Sequence, residues 1–113
     1  MSVSHVTTHV LDTGSGQPAA DVPVTLHMLD GGSWVRIAEA VTDSDGRIKH
    51  LGPERLPSGT YRLAFETGKY FAATGTATFF PEVTLTFSVA EAEAHYHVPL
   101  LLSPFAYSTY RGS

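Results

Sequence analysis

The sequence predicts an all-β protein, a two-sheet sandwich of seven or eight short strands with one short helix. Two observations carry the prediction. Apolar side chains recur at every second position in run after run, the period of a strand with one face buried. Between the runs stand clusters of Gly, Asp, Ser and Pro, frequent enough that the strands must be short and joined by many turns.

In chain order, the first strand spans 4–11, where His5, Thr7 and His9 alternate with Val6, Thr8 and Val10. Asp12-Thr13-Gly14-Ser15-Gly16 turns the chain, and a strand at 22–29 sets Val22, Val24, Leu26 and Met28 against Pro23, Thr25 and His27. Leu29-Asp30-Gly31-Gly32-Ser33 is a hairpin signal whose extra Gly-Ser calls for a longer loop before a strand at 34–42. Asp43-Ser44-Asp45-Gly46 leads into a strand at 47–51, and Pro57-Ser58-Gly59 into one at 60–67. Gly68 to Gly75 is the one stretch suited to a helix. The strand at 82–89 alternates most cleanly, with Val83, Leu85, Phe87 and Val89 against Thr84, Thr86 and Ser88. Strands at 94–102 and 106–111 complete the set.

A chain of 113 residues makes a single domain, 1–113, large enough for a real core. Its 42% hydrophobic and 16% charged residues fit a soluble globular protein. The net charge of −4, with no Lys/Arg cluster, argues against a nucleic-acid partner. Without cysteine there is no disulfide, thiolate nucleophile or Cys-ligated zinc. No segment approaches the roughly 18–20 apolar residues of a membrane helix. Met1-Ser2-Val3-Ser4-His5 lacks the basic and apolar runs of a signal peptide, and Arg111-Gly112-Ser113 is not the peroxisomal address, so cytoplasm is the expected compartment.

The chemistry points to histidine. His5 and His9 are predicted to share one face of their strand, and His95 and His97 one face of theirs, opposite the more apolar set. Two imidazoles spaced two apart on a strand can ligate a metal or flank a substrate, and can equally be solvated. Pro99-Leu100-Leu101-Leu102 follows, apolar on both faces, so the histidine face of that strand is expected to meet another subunit or line a cavity. Taken alone, His9 reads as a partly buried structural histidine, and His5, His27 and His50 as solvated ones. Asp43-Ser44-Asp45-Gly46 fails as an EF-hand loop, since Val41 and Gly52 would fall at its first and last ligand places. It reads better as an Asp-Gly turn. Arg47 emerges from that turn, free either to grip an oxygen-rich planar ligand or to pair with Asp43 or Asp45. Nucleophile-elbow, Walker, His-Glu-x-x-His and Rossmann motifs are absent from the sequence. The ending Tyr110-Arg111-Gly112-Ser113, with no polar tail after it, looks like part of a site.

Taken together these segments resemble the transthyretin-related family, and within it the 5-hydroxyisourate hydrolases. The resemblance runs through Thr8-His9-Val10-Leu11-Asp12, Gly16-Gln17-Pro18-Ala19, Thr42-Asp43-Ser44-Asp45-Gly46-Arg47 and Gly59-Thr60-Tyr61. It continues through Phe79-Phe80-Pro81-Glu82-Val83 and His95-Tyr96-His97-Val98-Pro99-Leu100-Leu101-Leu102-Ser103-Pro104 to the Tyr-Arg-Gly-Ser ending. It implies a transthyretin-like sandwich assembled as a homotetramer, a dimer of dimers with its active sites in a central channel. The implied reaction is metal-free, cofactor-free hydrolysis of 5-hydroxyisourate to 2-oxo-4-hydroxy-4-carboxy-5-ureidoimidazoline, in urate degradation. The catalytic set it implies is His9, Arg47, His97 and Ser113, with His9, Arg47 and Tyr110 contacting substrate. Either histidine can be the base. The rival is a non-enzymatic carrier holding a small ligand in the same channel.

Overall fold

The computed structural model describes residues 3–113, which form nine strands and one helix. In chain order these are β1 (Val6–Asp12), β2 (Gln17–Pro18), β3 (Pro23–Asp30), β4 (Ser33–Val41), β5 (Arg47–Ile48), β6 (Gly59–Phe65), α1 (Thr67–Ala73), β7 (Val83–Val89), β8 (Tyr96–Ser103) and β9 (Ala106–Thr109). One sheet runs β2-β1-β8-β9, with β5 pairing β1 beside β2. The other runs β4-β3-β6-β7. Pairing is antiparallel except between β1 and β8, which are parallel and join residues about ninety positions apart in the chain.

Period-two alternation builds the core as expected. Val6 and Val10 of β1 and Val98, Leu100 and Leu102 of β8 point inward from one sheet. Val24 and Leu26 of β3, Tyr61, Leu63 and Phe65 of β6, and Val83, Leu85 and Val89 of β7 meet them from the other. Fully burying each of these side chains is worth about 1.5–3 kcal/mol.

The short helix lies slightly earlier than predicted. It has no side-chain N-cap and is held from outside: Thr67 Oγ1 donates to Phe80 O (2.7 Å) and Gly68 N to Pro81 O (2.8 Å). Gly68 allows this approach, since a Cβ there would lie 2.9 Å from Pro81 O. Tyr70 Oη donates to Asp12 Oδ2 (2.7 Å), fixing the helix to the end of β1.

Several expectations are corrected. The two-residue strand β2 was not foreseen, and the strand expected at 47–51 is paired only over Arg47–Ile48. The last strand stops at Thr109, and beyond it the chain meets β8 again only at the Gly112–His97 bridge. The largest correction concerns His5. It precedes β1 and turns inward, 1% exposed, where Nδ1 accepts from Leu56 N (2.8 Å) and Nε2–H donates to Glu93 O (2.7 Å). A ring that satisfies a backbone donor and a backbone acceptor can be buried at low cost. His27 is half-buried on the outer face of β3, not solvated, and its Nδ1 is sealed from water without a partner. His50 is exposed as expected.

Candidate active site

Strand register brings the chemistry together. On one side of β1, His9 stands opposite Arg47 of β5; on the other, Thr7 stands opposite His97 of β8. Thr7, His9 and His97 occupy the alternating positions that point away from the core, so three elements contribute to one patch of the outer face.

The turn before β5 is built to deliver Arg47. Asp43 Oδ1 accepts the N–H groups of Asp45 (2.9 Å) and Arg47 (3.0 Å). The Arg47 N–H is the main reason that the Asp43 carboxyl titrates below its ordinary range. Gly46 has φ +74°, and a Cβ there would collide with the carbonyl of Val10, so only glycine passes this close to β1. The Arg47 side chain is exposed. Among the described residues the one salt bridge is Arg36–Glu39, so Arg47 does not form the ion pair with Asp43 or Asp45 that its sequence also allowed.

His97 is held on two sides. Its Nδ1 lies 2.9 Å from Thr7 Oγ1, and the same hydroxyl lies 2.9 Å from His95 Nε2. The rings of His95 and His97 are 6.4 Å apart, and the threonine hydroxyl sits between their facing nitrogens. From the other side the tail folds back: Gly112 N donates to His97 O (2.8 Å). A Cβ at Gly112 would lie 2.6 Å from His97 Cδ2, so the tail touches the imidazole ring only because this residue is glycine. Burial is the largest cause lowering the His97 pKa, and the charges of Arg47, His9 and His95 push it the same way. Each of these causes favours the neutral ring.

Thr7, Arg47, Lys49, His95, His97 and Ser113 line one pocket of about 220 Å³. Three of the four expected catalytic residues thus share it. His9, half-buried, does not line the pocket but stands beside Arg47 in register and near enough to His97 to act on its titration. Tyr110 lies elsewhere in this chain. It is 58% exposed and lines a second pocket of about 490 Å³ with Arg111, between Leu85 and Phe87 of β7 and Tyr96 and Val98 of β8. There the Arg111 guanidinium lies 4.5 Å above the Tyr96 ring.

Sequence reasoning gave no role to Thr7 or Lys49. Both were in principle legible: Thr7 stands two residues from His9 on the same strand face, and Lys49 two residues from Arg47 within the strand expected at 47–51. Among the described residues no three His, Cys, Asp or Glu side chains cluster as a metal site.

The chain is similar to known proteins over nearly its whole length. The 5-hydroxyisourate hydrolase of Deinococcus radiodurans is 48% identical over 113 aligned residues, covering 96% of this chain and 95% of that one. The structure of Klebsiella pneumoniae 5-hydroxyisourate hydrolase superposes over the whole of both chains with TM-score 0.86 and 39% identity. Sea bream transthyretin in complex with thyroxine superposes with TM-score 0.91 and 33% identity, covering 96% of this chain and 94% of that one. Backbone likeness therefore does not separate the hydrolase from the thyroxine-bound transthyretin, and the sequence likeness is greater to the hydrolases. The model described as the HIUase/Transthyretin family matches residues 6–112, essentially the whole sandwich with its tail, and the chain belongs to that family.

Proposed function

We propose that this protein is a 5-hydroxyisourate hydrolase. The observation that carries the reading is the meeting of His97, whose surroundings favour its neutral form, with the guanidinium of Arg47 and the Ser113 tail in one pocket. A hormone carrier needs an apolar channel with few convergent ionisable groups, and this pocket is lined by two cations and two imidazoles.

In the mechanism we propose, water attacks the carbonyl of the lactam ring while His97 takes its proton. A base of this kind contributes about 10²–10⁴ in rate when it is neutral at working pH. Arg47 faces the developing oxyanion, where a preorganised cation contributes most. His9, beside Arg47, contacts the substrate and shares the proton chemistry, and Ser113 orients the water. Neither metal nor cofactor enters this scheme.

We further propose that the working form is a homotetramer, a dimer of dimers. Strands β7 and β9 are sheet edges, and Phe79, Phe105, Tyr107 and Tyr110 are large exposed aromatics. Open edges flanked by aromatic side chains favour association. In such an assembly Tyr110, which does not line the pocket of its own chain's His97, reaches the substrate of a neighbouring copy. The test is direct: freshly generated 5-hydroxyisourate is followed spectrophotometrically with and without the protein. Acceleration of its decay supports the enzyme; saturable binding with unchanged decay supports the carrier.

A further inference from the structure

We propose that Thr7 and His95 form a proton relay between His97 and solvent, which switches His97 between base and acid without leaving a charge on either ring. The proposal rests on the hydrolase reading above. Thr7 Oγ1 is 2.9 Å from His97 Nδ1 and 2.9 Å from His95 Nε2, and Thr7 itself is 5% exposed, whereas His95 is exposed. The chain of contacts therefore runs from a ring in the pocket, through a buried hydroxyl, to a ring in water.

A hydroxyl has one hydrogen to give, so these contacts permit two arrangements of protons. In the first, His97 Nδ1–H donates to Thr7, Thr7 donates to His95 Nε2, and His97 presents a bare Nε2, a base. In the second, His95 Nε2–H donates to Thr7, Thr7 donates to His97 Nδ1, and His97 presents an Nε2–H, an acid. Passing from the first to the second takes one proton in at His97 Nε2 and releases another from His95 Nδ1.

Hydrolysis uses both passages. As the O–C bond forms at the ring carbonyl, the O–H bond of water breaks and its proton enters at His97 Nε2, while a proton leaves His95 for solvent. As the C–N bond then breaks, the leaving nitrogen takes the proton of His97 Nε2, and solvent returns one at His95 Nδ1. Protein and protons are back where they began, and the product carboxylic acid ionises to bulk water. Burial lowers the pKa of His97, and the charges of Arg47, His9 and His95 lower it further, so a passage that creates no imidazolium suits the site.

The relay is tested with Thr7→Val, which removes the hydroxyl at nearly constant shape, Thr7→Ser, which keeps it, and His95→Gln. With the relay, Thr7→Val lowers kcat roughly 10–100-fold with little change in KM, less than complete loss of general acid–base catalysis because His97 remains. Thr7→Ser restores most of that loss. His95→Gln lowers kcat in dilute non-imidazole buffer, and added imidazole restores it in proportion to concentration; wild type shows no such dependence. Nitrogen-15 spectra of the two rings give a readout that needs no substrate: the ring contacts of wild type hold both rings in the same tautomer, Nδ1–H together or Nε2–H together, and Thr7→Val uncouples them. If wild type hydrolyses the substrate but His95→Gln keeps its kcat at every buffer concentration, the relay is wrong and the hydrolase stands. If wild type leaves the substrate's decay unchanged, the hydrolase reading fails, and unaltered tautomers in Thr7→Val then overturn the relay as well.

Discussion

Replacing Gly112 by alanine is expected to cost activity out of proportion to stability. The new Cβ would lie 2.6 Å from His97 Cδ2 and 3.3 Å from its Cβ and Cγ. Carbon atoms in contact rest at about 3.5–4.0 Å, so tail and ring must separate by roughly 1 Å. Only two movements give that room. The tail can lift, losing the bond from Gly112 N to His97 O (2.8 Å), or the ring can rotate, losing the contact of Nδ1 with Thr7 Oγ1 (2.9 Å). Either way about one hydrogen bond is lost, a net 0.5–1.5 kcal/mol. The same displacement acts on catalysis far more strongly, because about 1 Å of misplacement costs on the order of 10² in rate. Urea unfolding and kcat/KM for 5-hydroxyisourate, measured on the same preparation, separate the two effects. A variant whose kcat/KM stays within about threefold of wild type would refute the role given to the tail. So would a loss of several kcal/mol in stability, which would make the activity loss a consequence of unfolding.

Four further outcomes are expected. Since burial, then the charges of Arg47, His9 and His95, lower the His97 pKa, and the base must be neutral, the acid limb of kcat/KM should have its midpoint below 6.5; a midpoint at or above that value counts against His97 as the base. Arg47→Gln removes one of those downward pushes, so the His97 titration followed by NMR should move to higher pH while kcat falls about 10²–10³-fold. Tyr70→Phe deprives Asp12 Oδ2 of its phenolic donor and should lower stability by about 1.5–3 kcal/mol in urea with kcat unchanged. Burial and then Asp12 hold Tyr70 up to about 12, against 10.0 ordinarily, so its contribution is whole below pH 10 and declines as pH rises towards 12, a decline that Tyr70→Phe should abolish. His5→Ala empties a buried site and strands Leu56 N and Glu93 O, so the urea midpoint should fall by an amount equal to about 2–4 kcal/mol.

Much of the sandwich was legible because its strands alternate cleanly and face one core. The cleanest run, Val83 to Val89, became β7 almost to the residue. What was not legible depended on partners distant in sequence. Gln17–Pro18 has no alternation to read and is a strand only because β1 stands beside it. His5 continued the odd-numbered alternation of His9, yet no strand begins before Val6, so the period that would have turned it outward does not apply. Its interior place is set by Leu56 and Glu93, which no local pattern announces. Arg47 was legible as the residue that follows an Asp-Gly turn, whereas its lack of an ion pair was not. Thr7 shared a face with His9 in plain view, but its significance lies in two nitrogens about ninety residues away.

The parts of the site are secured to very different degrees, and this follows from how each is attached. A slip of β8 by one residue along β1 would turn His97 inward and Val98 outward, together with every other side chain of the strand. That slip would expose Val98, Leu100 and Leu102, each buried at about 1.5–3 kcal/mol. The register that sets His97 opposite Thr7 is thus guarded by the core itself, and is lost only when the protein unfolds. Arg47 is guarded less, by a two-residue pairing and the two N–H bonds to Asp43. The tail is joined to β8 by a single bridge at Gly112. Substitutions in the tail should therefore give folded, inactive protein, whereas inward substitutions in β1 or β8 should abolish activity and fold together. A survey of single variants by both expression and turnover distinguishes the two groups, and a tail variant that lost solubility before activity would contradict this ordering.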